Sequence, residues 1–409
     1  MINKYSSAIG IQPQVRQALD DISQLVTLPV IRGKWYFVDP TSGSASNGGE
    51  SPAEAVDGLA AAYALCTTGA GDGIVLLSAG TTAADTTSYL THPLLWTKHG
   101  ITVVGACAPT KMFMRARVAT KDVTTGSIST ISFTNSGTAD YISDSAGGFI
   151  TAGFKVGDKI TVDSTSNTND GNYTITALTA SKMTLDTGDS LTTESAATAG
   201  ATVITNYCDY VLNISGNNNS FYNMFIINED SSALSLGGVL VSGARNSFSN
   251  CHIYGGTACA ASASINSLRL TAAEENTFYN CTIGGDTADR GNNACSDLYL
   301  SGAVARNRFI GCEFIGHCTT GTAKFSVYVN TTTGGRPTMF IGCRFMNWNT
   351  AGGNTRQAYA FGTTGSCDMI FVQNSSIFGY AAWSNTSSIV YIDSPAVQAS
   401  AGGGVATAS

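Results

Sequence analysis

Residues 219–226 read NSFYNMFI, and the phrase returns as NSFSNCHI at 246–253 and NTFYNCTI at 276–283. Looser copies stand at 307–314 (NRFIGCEF), 338–345 (TMFIGCRF) and 370–377 (IFVQNSSI). The aligned apolar residues Phe221, Phe248, Phe278, Phe309, Phe340 and Val372 are spaced by 27, 30, 31, 31 and 32. A period in this range marks an architecture of stacked repeats.

A second ladder identifies the repeat. Short alternating runs lie between the phrases: Val239-Leu-Val241, Leu268-Arg-Leu270, Leu298-Tyr-Leu300, Val327-Tyr-Val329, Tyr359-Ala-Phe361 and Val390-Tyr-Ile392. Their spacings of 29, 30, 29, 32 and 31 keep step with the phrases. Alternation with period two is the signature of a strand, with the outer residues of each triplet facing inward. Each turn of chain therefore lays down at least two short strands, and the next turn stacks on it as a parallel β-helix.

The columns of the alignment suit such a stack. Cys251, Cys281, Cys312 and Cys343 share one position, with Met224 and Ser375 at its ends, which predicts an interior row of small or apolar side chains. Asn223, Asn250, Asn280 and Asn374 form another column, with Gly311 and Gly342 in its middle. Asn and Gly tolerate left-handed backbone, so this column predicts a sharp corner between two strands. The column resembles the asparagine ladder of pectate-lyase-type right-handed β-helices, and right-handedness is what that resemblance implies.

The chain has 409 residues, 12% of them charged, with a net charge of −7. Low charge with little proline argues against disorder. The acidic balance makes nucleic acid a poor partner. No apolar run approaches the ~18 residues of a membrane span, and a basic, apolar leader is not visible at the N-terminus. Eleven cysteines form no CxxC pair and read as reduced thiols, which implies synthesis in a cytosol. The histidines His92, His99, His252 and His317 share no ligand spacing, so neither a metal nor another cofactor is expected.

Five regions follow. Residues 1–33 form an arm in which Val15, Leu19, Ile22 and Val26 make one apolar helical stripe opening with Pro13. About fifteen residues of helix are marginal alone, so the stripe must pack on something. Residues 34–112 read as the start of the solenoid, with a helix from the capping-box spacing Ser51-Pro-Ala-Glu54 through Cys66 closing the open end. Residues 113–205 break the period, and their alternating runs predict an inserted small antiparallel β-barrel or sandwich. Residues 206–395 hold the repeated coils, which together with one or two rungs before the insertion predict a stack of roughly 30–40 Å at ~4.8 Å per rung. Residues 396–409 are an Ala/Gly/Ser tail, expected to be flexible.

No catalytic residue is expected. Sugar-cleaving β-helices need paired carboxylates, and at outward positions Glu313 is flanked by Thr282 and Arg344, and Asp297 by Ser267 and Ser326. Loop acids remain at Glu229-Asp230, Glu274-Glu275, Asp286 and Asp289, and read as solvated turns. There is no GxSxG, HExxH or P-loop. One outward row stands out: Leu240, Arg269, Tyr299, Tyr328, Ala360 and Tyr391. Of these Arg269, Tyr299, Tyr328 and Tyr391 make a candidate face, for self-association first and for a glycan second.

The run from Tyr36 to Thr81, YFVDPTSGS…SPAEAVDGLAAAY…GDGIVLLSAGT, resembles the opening of many phage and secreted β-helix proteins. The whole pattern of arm, capped start, inserted barrel and coils resembles bacteriophage virion proteins of the tailspike-like group. That resemblance implies a homotrimer anchored to the particle by its arm. Within the group a capsid decoration (cement) protein is expected, bound to the major capsid protein on the head surface. The alternative is a tail spike or fibre that binds, and even cleaves, host surface polysaccharide. Either way the location is the virion, after synthesis in the bacterial cytoplasm.

Overall fold

A computed structural model describes residues 31–78, 82, 84, 86–108, 110–255, 265–287, 295–318, 324–330, 337–348, 357–363, 370–384, 389–392, 396–398 and 404–406. It is all-β, a right-handed parallel β-helix of about nine turns carrying an inserted antiparallel domain. Three sheets form the sides, and the repeating coil lays one strand on each in the order sheet 3, sheet 1, sheet 2. In one full coil these are Gly237–Val241, Ser247–Ser249 and His252–Tyr254.

The phenylalanine row is the axis of the fold. In sheet 1 the register runs Tyr36, Ile74, Val103, Phe221, Phe248, Phe278, Phe309, Phe340, Val372. The consecutive phenylalanine rings from Phe221 to Phe340 stack at 4.7–4.8 Å with interplanar angles of 6–12°. Rung spacing and ring-stacking distance coincide, so each ring gains a parallel neighbour without leaving its rotamer. Cys251, Cys281, Cys312 and Cys343 are buried beside them, and each thiol donates to the carbonyl of the phenylalanine one coil back, at 3.3–3.4 Å. Burial holds the Cys281 and Cys343 thiols well above the usual thiol range. The nine described cysteines are unbridged.

The corner column behaves as its residue types require. Asn223, Asn250, Asn280 and Asn374 have φ of 49–54°, and Gly311 and Gly342 have 64° and 63°. Asn280 also donates to Asn250 at 2.6 Å. A more deeply buried ladder stands at the first residue of the phrase. Asn219, Asn246, Asn276 and Asn307 are at most 1% exposed. The backbone N–H groups of Asn219, Asn246 and Asn276 each donate to the side-chain oxygen one coil on, at 2.8–3.0 Å. These amides satisfy the backbone where the chain turns from sheet 3 into sheet 1.

Several expectations need correction. The helix is Leu59–Leu65, not 51–66: Pro52–Glu54 is a single 3-10 turn without a Ser51 cap bond, and Val56 is pulled into pairing with Val38. Leu59, Ala62 and Tyr63 of the helix nonetheless close the core. Three sheet 1 strands precede the insertion rather than one or two: Trp35–Val38, Gly73–Leu77 and Thr102–Ala106. Arg117–Thr120, inside the 113–205 stretch, is a solenoid strand of sheet 2. The inserted domain then builds its own core around Ile131, Phe133, Ile160 and Ile204 within six antiparallel strands. It leaves the coil after sheet 2 and returns at Tyr210–Ile214 of sheet 3. At the junction His92 meets Asp158 at 2.8 Å, and Asn206 donates to the carbonyls of Thr91 and Lys121. Within the tail, Gly404–Ala406 pairs antiparallel with Ala396–Gln398 at the edge of sheet 2.

Candidate functional surface

The arm stripe Val15, Leu19, Ile22 and Val26 lies outside the described residues. The aromatic row is within them for most of its length. On the outward side of sheet 3 the register places Asn213, Leu240, Arg269, Tyr299 and Tyr328 in line. The next member is Gly362 and not Ala360, because Val327 pairs with Phe361. Ala360 is buried in the core. Tyr391 belongs elsewhere: Ile389–Ile392 is a strand of sheet 1, where position 391 aligns with Val372. The triplet pattern is the same on both sheets, so periodicity could not tell which side the last strand joins.

The row is tightly organised. The Arg269 guanidinium sits 4.7 Å above the Tyr299 ring, and Tyr299 stacks on Tyr328 at 5.3 Å and 13°. Asn330 donates to the Tyr299 hydroxyl at 3.0 Å, and Arg269 Nε donates to Thr271 at 3.1 Å. Phe325 tilts against Tyr328 at 5.7 Å and lies over Gly362, where a Cβ would come within 2.6 Å of its ring. Both faces of Tyr299 are thus taken, and Tyr299 is only 7% exposed. Rings stacked along the helix axis present edges and hydroxyls outward, whereas a sugar stacks on a free ring face. Arg269 and Tyr328 of the row are half-buried on the outward side of sheet 3.

The acids are similarly engaged. Eight acidic side chains are described between 209 and 313, and six of them hold a cation. The pairs are Asp209–Lys159, Glu229–Arg117, Glu274 and Glu275 with Arg306, Asp297–Lys324 and Glu313–Arg344. Asp230 accepts from the backbone of Cys208 and Ser232, and burial pushes its carboxyl up to about 6, with Asp122 and Asp209 adding to the effect. Asp286 is exposed. Asp297, an outward strand position in the sequence, is buried with its partner: it and Lys324 are 0% and 1% exposed and meet at 2.8 Å. Burial alone would lower the Lys324 ammonium, but the Asp297 carboxylate more than offsets it and holds it raised. Among the described residues no group of three or more His, Cys, Asp or Glu could hold a metal ion.

Similar proteins are found only among solved structures. No family model and no curated protein sequence matches the chain. Among solved structures, the pectate lyase Pel9A aligns at 12% identity and a TM-score of 0.47, covering 90% of this chain and 81% of that one. A pectin methylesterase solved with a hexasaccharide aligns at 10% identity and 0.41, covering 87% and 82%. The pectin methylesterase from Aspergillus niger aligns at 8% and 0.41, covering 90% and 88%. The fold assignment here rests on the strand pairing itself.

Proposed function

We propose that this chain is a structural protein of a bacteriophage virion, an oligomeric decoration of the head surface without catalytic activity. The observation that carries this reading is the commitment of the outward acids to cations of neighbouring strands, as in Glu313–Arg344 and Glu274–Arg306. A surface that spends most of its described carboxylates on ion pairs between coils braces a stack and leaves few free for hydrolysis. The phage-like opening of the sequence and the apolar arm stripe support attachment to a particle, where many weak contacts act together.

A tail spike or fibre that binds host polysaccharide is the second reading. It is favoured by Trp348, 42% exposed on the outward side of sheet 2 beside Phe378 at 5.3 Å. Quantitative mass spectrometry of purified particles separates the two. A copy number that is a sizeable fraction of the major capsid protein is expected for a head decoration. A handful of copies places the chain on the tail, and absence from the particle overturns both readings.

A further inference from the structure

The N-terminal end of the stack is closed by the Leu59–Leu65 helix, LAAAYAL. Leu59, Ala62 and Tyr63 face the core. The other side presents Ala60, Ala61 and Ala64, all at least partly open to solvent, and Leu65, 38% exposed. No side chain of the helix is charged, and its one polar side chain, Tyr63, is buried. The terminal element of a solenoid ordinarily turns a polar face to water; this helix turns an apolar one outward. The chain enters the described structure at the same place. Asp72 accepts from the backbone N–H of both Lys34 and Thr67, at 2.8 and 2.7 Å, and Gly33 donates to the Gly71 carbonyl at 2.9 Å. One carboxylate thus pins Lys34 next to Thr67, just beyond the C-terminal end of the helix.

We propose that the arm's stripe of Val15, Leu19, Ile22 and Val26 packs on this outer face of the Leu59–Leu65 helix in the same chain. Reach permits it: the link from Val26 to Ile31 spans up to ~17 Å when extended, and the capping helix is only ~10 Å long. The stripe from Val15 to Val26 is ~17 Å of helix, so it covers the whole face with a turn to spare. Ala60, Ala61 and Ala64 let the two axes approach to about 8 Å, with Leu65 as the one large side chain set between those of the arm. A single contact then meets two needs. A helix of about fifteen residues is marginal alone, and the apolar end of the stack is removed from water. Tethering favours the chain's own arm over a separate partner, because a short link sets an effective concentration of about millimolar. Attachment to a particle falls to the opposite side of the arm, Gln17, Asp20, Asp21 and Gln24, so this contact is tested separately from the virion reading.

Hydrogen exchange on the full chain, read by mass spectrometry, tests this. Amides of residues 15–26 are expected to be protected in the wild type. Leu19→Asp/Ile22→Asp should abolish that protection and speed exchange in the Leu59–Leu65 helix, leaving the strand Lys159–Ser164 of the inserted domain unchanged. Free-chain exchange of residues 15–26 in the wild type overturns the proposal. Protection that the double variant removes with no change in the capping helix places the stripe elsewhere and overturns this face. The reciprocal substitution Ala64→Glu, at an exposed position, should release residues 15–26 in the same way; an arm that stays protected overturns the contact. Photo-cross-linking decides whose arm is docked. Light- and heavy-isotope chains, both carrying Leu65→p-benzoylphenylalanine, are refolded together and irradiated. Links from position 65 to residues 15–26 are expected within one label. Mixed-label links mean the arm of a second copy and overturn the intrachain contact.

Discussion

His252 is the side chain whose chemistry the stack perturbs most measurably. Its ring is fully buried on the outward side of sheet 2, parallel to Phe225 at 4.4 Å and edge-on to Phe113 at 5.3 Å. Nε2 meets the Gly284 carbonyl at 2.8 Å, and the Phe113 N–H donates to Nδ1 at 3.2 Å. These partners require a neutral ring with its proton on Nε2. Burial lowers its pKa to about 4 from 6.5, against the opposing pull of the Gly284 carbonyl. The folded value lies below the unfolded one, so the stability is fully present above pH 6.5 and is lost as pH falls towards 4. A shift of that size corresponds to about 3 kcal/mol in all, most of it expressed by pH 4.5. Asp230 works in the opposite direction. Its folded pKa of about 6 stands above the ordinary Asp value of 3.8, so its contribution grows as pH falls through the same window, and the two groups offset each other in the wild-type profile. The informative experiment compares wild type with His252→Gln by urea unfolding at pH 7.5 and 4.5. The stability difference between the two proteins should shrink by about 2–3 kcal/mol at the lower pH. A difference that stays constant would refute the reasoning, as would an imidazole NMR titration of His252 with a midpoint near 6.5.

Two further predictions concern the stack. Asn276→Ala removes the acceptor of the Asn246 N–H and the donor to the Gly243 carbonyl; with both left buried, the loss should be about 2–4 kcal/mol, read as a lowered urea midpoint. Lys324→Met alone strands the buried Asp297 carboxylate and should cost about 3–5 kcal/mol, whereas Lys324→Met with Asp297→Leu should recover most of it in the same assay.

The fold was legible in the sequence because stacking multiplies one coil's requirements. Every inward position of sheet 1 must be filled by a residue that packs on copies of itself, so Phe221 through Phe340 announce the period directly. The corner requires φ near +50°, so Asn and Gly mark it residue by residue. The deeper amide ladder was also visible, at the first letter of the phrase, but its role was credited to the corner column. Nothing local separates an asparagine that turns the chain from one that hydrogen-bonds the coil above.

Sequence alone also showed that the period is interrupted, although Arg117–Thr120, inside the stretch read as the break, belongs to the solenoid. What only the tertiary structure decided are matters of registration between distant segments. Val390-Tyr-Ile392 has the same alternation as the sheet 3 triplets, yet its backbone pairs with Val372 on sheet 1. Asp297 read as an outward acid flanked by Ser267 and Ser326, and only the folded chain brings Lys324 to it across 27 residues. Tyr299 and Tyr328 were legible as neighbours in one row, but that their rings stack on each other at 5.3 Å only the register of the coils decided. Periodicity reports which residues repeat along the chain. It does not report which side of the coil they join or what lies one rung above, because those depend on closing turns whose lengths vary from coil to coil.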